Sequence, residues 1–439
     1  MKFSPKKYLV NFFLKPLLWV VGSAVAISLL LWWFIPPVYN FSEPTAFHGS
    51  EWYNPYTAID TNDLKLSNFQ IQSKSYGGVT NGRNNSSERV FSTYKNLGYD
   101  VITISDYMKI NHYQEDSFPH VTVYEHGYGA FKNHQVCIGA SEVMWLDFPL
   151  FQSQSSKQFV LNELKKNNKC VAIAHPSLRD AYSADDMKVL RGYDLIEALS
   201  NFKNSLELWD AALSAGNPVF LVADDDAHNL DKPNDYGRVA TVIHSKSSNE
   251  DSLIHALKHG NAYGLVVQTP EGDSHEAKAN RFKKLPQLLQ HTVVNDSIFL
   301  SFTDSIRAIK AVGQDGIVLL NTTLSNTTSS FAFALNEVSH FVRFEIKLKD
   351  GSKIYTNPVF RSIDGKKPVV LSAGIDTWAS QFYRLLGLLV IGFSILWIRN
   401  PSRFRKPIFS KRGTRIQAYE SLPFSSPLLT SLTYNTFSN

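Results

Sequence analysis

The chain holds only two cysteines in 439 residues, Cys137 and Cys170. At most one disulfide can form, so the fold must stand on its apolar core, which a chain of this length can build. Both cysteines sit in strand-like apolar runs, QVCIGA and KCVAIAHP. Buried thiols are the expectation there, although an oxidising compartment would allow a Cys137–Cys170 pair, and the sequence leaves that choice open. The glycine signatures of nucleotide loops are missing as well. SYGGVTNG (75–82) has neither the Lys nor the preceding strand of a phosphate-binding loop. No Gly-x-Ser-x-Gly elbow occurs, which removes that route to a serine nucleophile. The net charge of +5 is not carried by the body of the chain. Residues 1–15 carry four Lys and no acid, and residues 399–439 carry seven Lys or Arg against one acid, Glu420. The middle, 16–398, has 33 basic and 38 acidic residues. A nucleic-acid partner calls for basic charge on the folded domain, so none is expected.

Basic charge at both ends points to a membrane. LLWVVGSAVAISLLLWWFI, 17–35, is uncharged and long enough to span a bilayer. No small-x-small cleavage site follows it, so it reads as an uncleaved anchor after a basic N-terminus, 1–16. A second apolar run, 385–398, is short for a span, but Trp378, Phe382, Tyr383 and a snorkelling Arg384 lengthen it, giving a second transmembrane helix over about 383–398. Basic clusters lie outside both runs (Lys2, Lys6, Lys7 and Lys15; Arg399, Arg403, Arg405 and Lys406). The positive-inside rule then puts both termini in the cytoplasm and 36–384 in the periplasm or outside the cell. The tail 399–439 is basic, with a Ser-, Thr- and Leu-rich end that reads as disordered.

Between the two runs the hydrophobic period changes once. Over 60–265, short β-like runs alternate with helical patterns: SERVFSTYKNLG then YDVITIS, SSKQFVLNELKKNN then KCVAIAHP, NSLELWDAALSAG then NPVFLVADDD. Repeated βα units of this kind predict a parallel sheet or barrel. From about 285 to 372 the pattern turns to alternating apolar and polar residues between turn signals, which predicts an antiparallel β-sandwich. The stretch 267–284 is polar and patternless and reads as a linker.

Chemistry collects at the predicted strand ends. FLVADDDAHN, 220–229, closes an apolar run with Asp224, Asp225, Asp226 and His228. A turn explains one such Asp, but three with a His after a buried strand weigh evenly between a turn and a metal or catalytic site. Other runs end likewise, at Asp106 and Tyr107, Glu125 and His126, His175 and Glu197, while His134 opens a strand. Each is weak alone. Converging on one face, they make the mixed nitrogen and oxygen donor set that suits Zn, Mn or Fe.

The order LGYDVITISDY, YEH, NHQVCIGA, AIAHP, YDLIEA, ADDDAH resembles the PHP family, the polymerase and histidinol phosphatase superfamily, over about 60–265. The resemblance implies a distorted (β/α)7 TIM-like barrel holding divalent metal and, as the usual chemistry, phosphoester hydrolysis. It places metal ligands at Glu125, His134, His175, Asp226 and His228, with Asp106, Asp226 and His228 in catalytic roles. The opening His-x-His of the family is degenerate here: NFQIQS puts Gln70 and Gln72 at those positions, and the family's Thr-Asp-His reads Ser105, Asp106, Tyr107. Neutral amides bind first-row metals poorly, so one ion or none is expected. Two functions remain open. One is a membrane-anchored, metal-dependent phosphoesterase acting outside the cytoplasm on a phosphoester or other polar small molecule. The other is a pseudoenzyme whose pocket (Gln70, Gln72, Tyr107, Tyr124, His126) or sandwich binds a polar ligand or an envelope protein.

Overall fold

The structure is a computed structural model that describes residues 13–56, 59–80, 82, 84–270, 272–324, 328–336, 339–370 and 372–399. The basic residues before 13 and the tail beyond 399, with Glu420, lie outside the described residues. The chain divides into a compact unit, Met1–Leu385, and a second unit, Leu386–Asn439, of which the helical part to Arg399 is described.

Two helices are long and apolar enough to cross a membrane. Lys15–Phe34 starts beside Pro16, a favoured first-turn residue, is followed by Pro36 and Pro37, and buries no side chain. Its 20 residues match the roughly 20 that a bilayer core requires. The second helix, Thr377–Arg399, begins six residues before the expected 383. The Asp376 side chain accepts the Ala379 N–H at 2.8 Å, and this cap sets the earlier start.

The fold between them is mixed α/β. Five-residue strand Leu64–Asn68 pairs in parallel with Val101–Ile102 and antiparallel with Val239–His244, which pairs antiparallel with Ala262–Val266. A second sheet runs Val123–His126, Gln135–Ala140, Asn168–Ile173, Leu195–Ser200, Phe220–Asp224. Only its last two ladders are parallel. The expectation of a parallel sheet or barrel is therefore met only in part, by the parallel ladders, and corrected at the first two ladders of this sheet. The connection 127–134 is too short for a crossover, which takes about a dozen residues, so it folds back as an antiparallel pair.

Nor does one ladder close these strands into a barrel among the described residues. Single parallel bridges, Ile71 to Ala227 and Tyr107 to Glu125, join the two sheets instead. Side chains have taken the backbone donors that a ladder would use. The Phe69 N–H donates to Asp224, Ile71 N–H to Ser105, Ser73 N–H to Asp106 and Ala223 N–H to Thr241.

The C-terminal β region is not separated from this body. Ala262–Val266 pairs with Lys353–Thr356, so one ten-stranded sheet runs on through Phe341–Leu348, Ile306–Val312 and Val318–Thr323. A three-stranded sheet, Leu288–Val294, Ser297–Phe302 and Ser330–Ala334, faces it, with Phe333 against Phe344 at 5.6 Å between ring centres. The stretch read as a patternless linker contains a helix, His275–Phe282. Ser274 caps it, and Lys278 and Phe282, one turn apart, are both buried, a spacing too short to show as a period.

A buried ion pair ties the C-terminal sheet to the helical layer. Arg343 donates to both oxygens of Asp210 on helix Leu206–Ser214, at 2.6 and 2.7 Å, and to Glu345 at 3.0 Å. Arg343→Leu leaves Asp210 buried without its cation and is expected to lower stability by about 3–5 kcal/mol. Asp210→Asn with Arg343→Leu should recover part of that loss in chemical denaturation.

Candidate metal centre

Three neighbouring strands deliver the central side chains. In the antiparallel pairs, His126 lies opposite Gln135 and Gln135 opposite Ile173. The end of the first strand, the start of the second and the end of the third therefore coincide. Glu125, His134 and His175 meet there, all buried, with one ligand atom from each within 4.8 Å of the others. His134 Nδ1 lies 2.5 Å and His175 Nε2 3.4 Å from Glu125 Oε1. Gln72 Nε2 donates to the other oxygen, Oε2, at 2.5 Å.

The electrostatics favour an anionic Glu125. Burial raises its pKa, but His134 and His175 outweigh burial and hold it below the usual carboxylate range. Burial lowers His134, with Glu125 opposing, so the neutral imidazole is favoured. A carboxylate with two imidazoles is a donor set that suits Zn, Mn or Fe. Orphaned atoms around it support that fit. His175 Nδ1, both amide atoms of Gln70, Gln72 Oε1 and Asp226 Oδ1 are buried without a hydrogen-bond partner. Buried polar atoms in folded proteins are nearly always satisfied, by water or an ion where not by protein. His175 and Asp226 also hold left-handed backbone, at φ 27° and 48°, a strained conformation that gathers at functional sites. The His175 N–H is fixed there by Glu197 Oε2 at 2.5 Å.

The three consecutive aspartates have three different surroundings. Asp224 accepts the Phe69 N–H at 2.6 Å. Asp225 accepts Tyr94 Oη and the N–H groups of Gly237, Arg238 and Val239 at 2.7–2.9 Å. Asp226 alone faces a cleft, and burial, then the Glu125 charge, raises its pKa well above the ordinary value. His228 lines the same cleft. Its Nδ1 sits 2.6 Å from the Asp226 carbonyl, and burial lowers its pKa.

Other expected residues are placed differently. Asp106 has both oxygens engaged, by the Ser73 N–H and hydroxyl and by Asn111 Nδ2. Both ring nitrogens of His126 are engaged, by Gln135 and by the Leu146 carbonyl. Tyr107 lines the cleft, but burial, reinforced by Glu125, raises its phenol and disfavours a phenolate ligand. Tyr124 is buried, and its hydroxyl accepts the Met144 N–H.

The cleft above these groups has a volume of about 420 Å³. Lys132, Arg179, Lys232 and Phe202 also line it. No sequence signal pointed to these four. They come from separate loops, and Lys132 and Arg179 are aimed by left-handed backbone at φ 62° and 53°.

No protein-family model and no curated protein matches the chain. A solved structure that does match is a two-domain protein from Bacteroides vulgatus containing a predicted PHP-like metal-dependent phosphoesterase. It is 14% identical, with a TM-score of 0.37, over 76% of this chain and 100% of that one.

Asp224 offers a pH test. Burial, eased by the Phe69 N–H, pushes its pKa up to about 7 from 3.8. Between those values the folded chain binds the extra proton, so this group's contribution to stability is full at low pH and falls as pH rises towards 7. Asp224→Asn keeps the acceptor for Phe69 and removes the titration. The stability of the variant relative to the natural chain is expected to rise between about pH 4 and pH 8, by on the order of a few kcal/mol in denaturant midpoints.

Proposed function

We propose that the chain is a membrane-anchored, metal-dependent phosphoester hydrolase working with one divalent ion. The observation that carries this reading is a buried Glu125–His134–His175 cluster beneath a cleft lined by three cations. The motif order that resembles the PHP family agrees with it. Glu125, His134 and His175 would hold the ion. A bound ion of this kind lowers the pKa of a water and polarises a phosphoryl oxygen.

The chain's own residues supply the rest. Lys132, Arg179 and Lys232 bind and orient the phosphoryl anion. His228, neutral and with Nδ1 donating to the Asp226 carbonyl, leaves Nε2 to take a proton. Asp226, kept protonated by burial, can return one to the leaving oxygen. Asp106 serves as a positioning residue, fixing Ser73 next to Gln72. A single ion is favoured because the Gln72 amide occupies Glu125 Oε2, and Gln70 adds only a neutral amide. Two apolar helices of 20 and 23 residues support anchoring, and Lys15 and Arg399 at their outer ends support termini in the cytoplasm and a cleft outside it.

One observation favours a second reading. Glu125 already has partners on both oxygens, so the cluster is electrostatically closed without a metal. In that reading the cleft binds a polar ligand or an envelope protein without turnover.

The test is hydrolysis of phosphomonoesters and phosphodiesters with added Mn, Zn or Fe. Turnover is expected, with a loss of about a hundredfold or more on His175→Ala, since even second-sphere changes at metal sites cost 10–100-fold. No hydrolysis with any of these metals would favour the binding reading.

A further inference from the structure

A larger cleft, about 670 Å³, lies apart from the candidate centre and shares no lining residue with it. Its walls include two segments that join the body to the apolar helices, residues 42–48 after the first and 361–370 with 373 before the second. Strand Val38–Asn40 pairs with Gly374–Asp376, so the two segments leave the body side by side. The first is laid close on the body at Gly216. That residue has φ 69°, and a Cβ there would stand 2.1 Å from the Thr45 carbonyl oxygen.

The charges in this cleft are poorly matched. Arg191 is only 8% exposed, yet its guanidinium donates to the carbonyls of Lys188, Leu190 and Ala215 and to no carboxylate among the described residues. Arg361 stacks on Trp52 at 3.9 Å and donates to the carbonyls of Ser50, Asn336 and Ser339. Among the described residues neither has a carboxylate within ion-pair distance. Lys366 faces Asp364 at 3.7 Å with both side chains exposed. The remaining acid, Glu43, is exposed. A buried cation without a counter-anion is costly, and an anionic ligand would relieve that cost. Its lining is partly apolar and open to solvent, with Val369 91% and Ile363 73% exposed, and the second apolar helix opens on Trp378, 89% exposed. Exposed Trp and aliphatic side chains next to Lys and Arg, at the mouth of a spanning helix, suit a membrane surface.

We propose that this cleft binds the headgroup of an anionic membrane lipid, with the phosphate on Arg191 and Lys366 and the apolar rim in the bilayer interface. The proposal rests on the membrane-anchored part of the functional reading and not on its chemistry. Binding would orient the body on the bilayer, because the cleft walls are the segments that carry the two helices.

The test uses the full chain in micelles holding phosphatidylcholine and phosphatidylglycerol in equal amounts, with retained lipid read by native mass spectrometry. Retention of phosphatidylglycerol over phosphatidylcholine by about tenfold is expected, falling about fivefold on Arg191→Met, since one basic residue near an anionic surface contributes about 1 kcal/mol, and at least as far on Lys366→Glu, which changes the charge by two. Lys366 is exposed, so its reversal tests the cleft even if Arg191→Met unfolds. Equal retention of the two lipids, or unchanged preference in Lys366→Glu, would overturn the proposal. So would displacement by free glycerol 3-phosphate as strong as that by the lipid, which would make the ligand a soluble anion. Release of the chain from vesicles by alkaline carbonate would instead show that anchoring itself has failed.

Discussion

The Glu125 carboxylate is the constraint on which the candidate site depends. A buried anion is tolerated only where its lone pairs are met, and here His134, His175 and Gln72 meet them. Meeting them requires three strand ends to coincide, which the antiparallel turn at 127–134 achieves. It also requires the segment after strand Leu64–Asn68 to run beside Ala227 and present Gln72. The short bridges at Ile71 and Tyr107 follow from that requirement: the chain there is held by side chains rather than by a ladder, and so can bend towards the centre.

The body around the centre is braced on its far side by the long mixed sheet. Strand Ala262–Val266 pairs with Val239–His244, which pairs with the strand leading into Gln70 and Gln72, and on its other side with Lys353–Thr356 of the C-terminal β region. Asn357, just past that pair, accepts the Leu221 N–H at 2.8 Å and so touches the strand that ends in the three aspartates. The C-terminal β region is thereby hydrogen-bonded to the strand that leads into the cleft wall.

The sequence made much of the site legible because strand ends are local. Apolar runs ending in Glu125, His175 and the 224–226 aspartates could be read without knowing how strands pair, and so could His134 at a strand start. Pairing direction could not be read. An alternation of strands and helices is the same for parallel and antiparallel neighbours when helices of different lengths intervene, as helix Gln154–Asn167 does between two antiparallel strands. The division of labour among Asp224, Asp225 and Asp226 was hidden for the same reason, since each is defined by a partner from a distant segment. Lys132, Arg179 and Lys232 were hidden because a loop cation has no period, and only folding brings three of them to one cleft.

Elemental analysis of the chain purified without chelator should find one Zn, Mn or Fe per chain, absent from Glu125→Gln. Two or more tightly held ions would contradict the proposed single-ion site. A folded chain that stays metal-free after incubation with each ion would contradict the metal centre altogether.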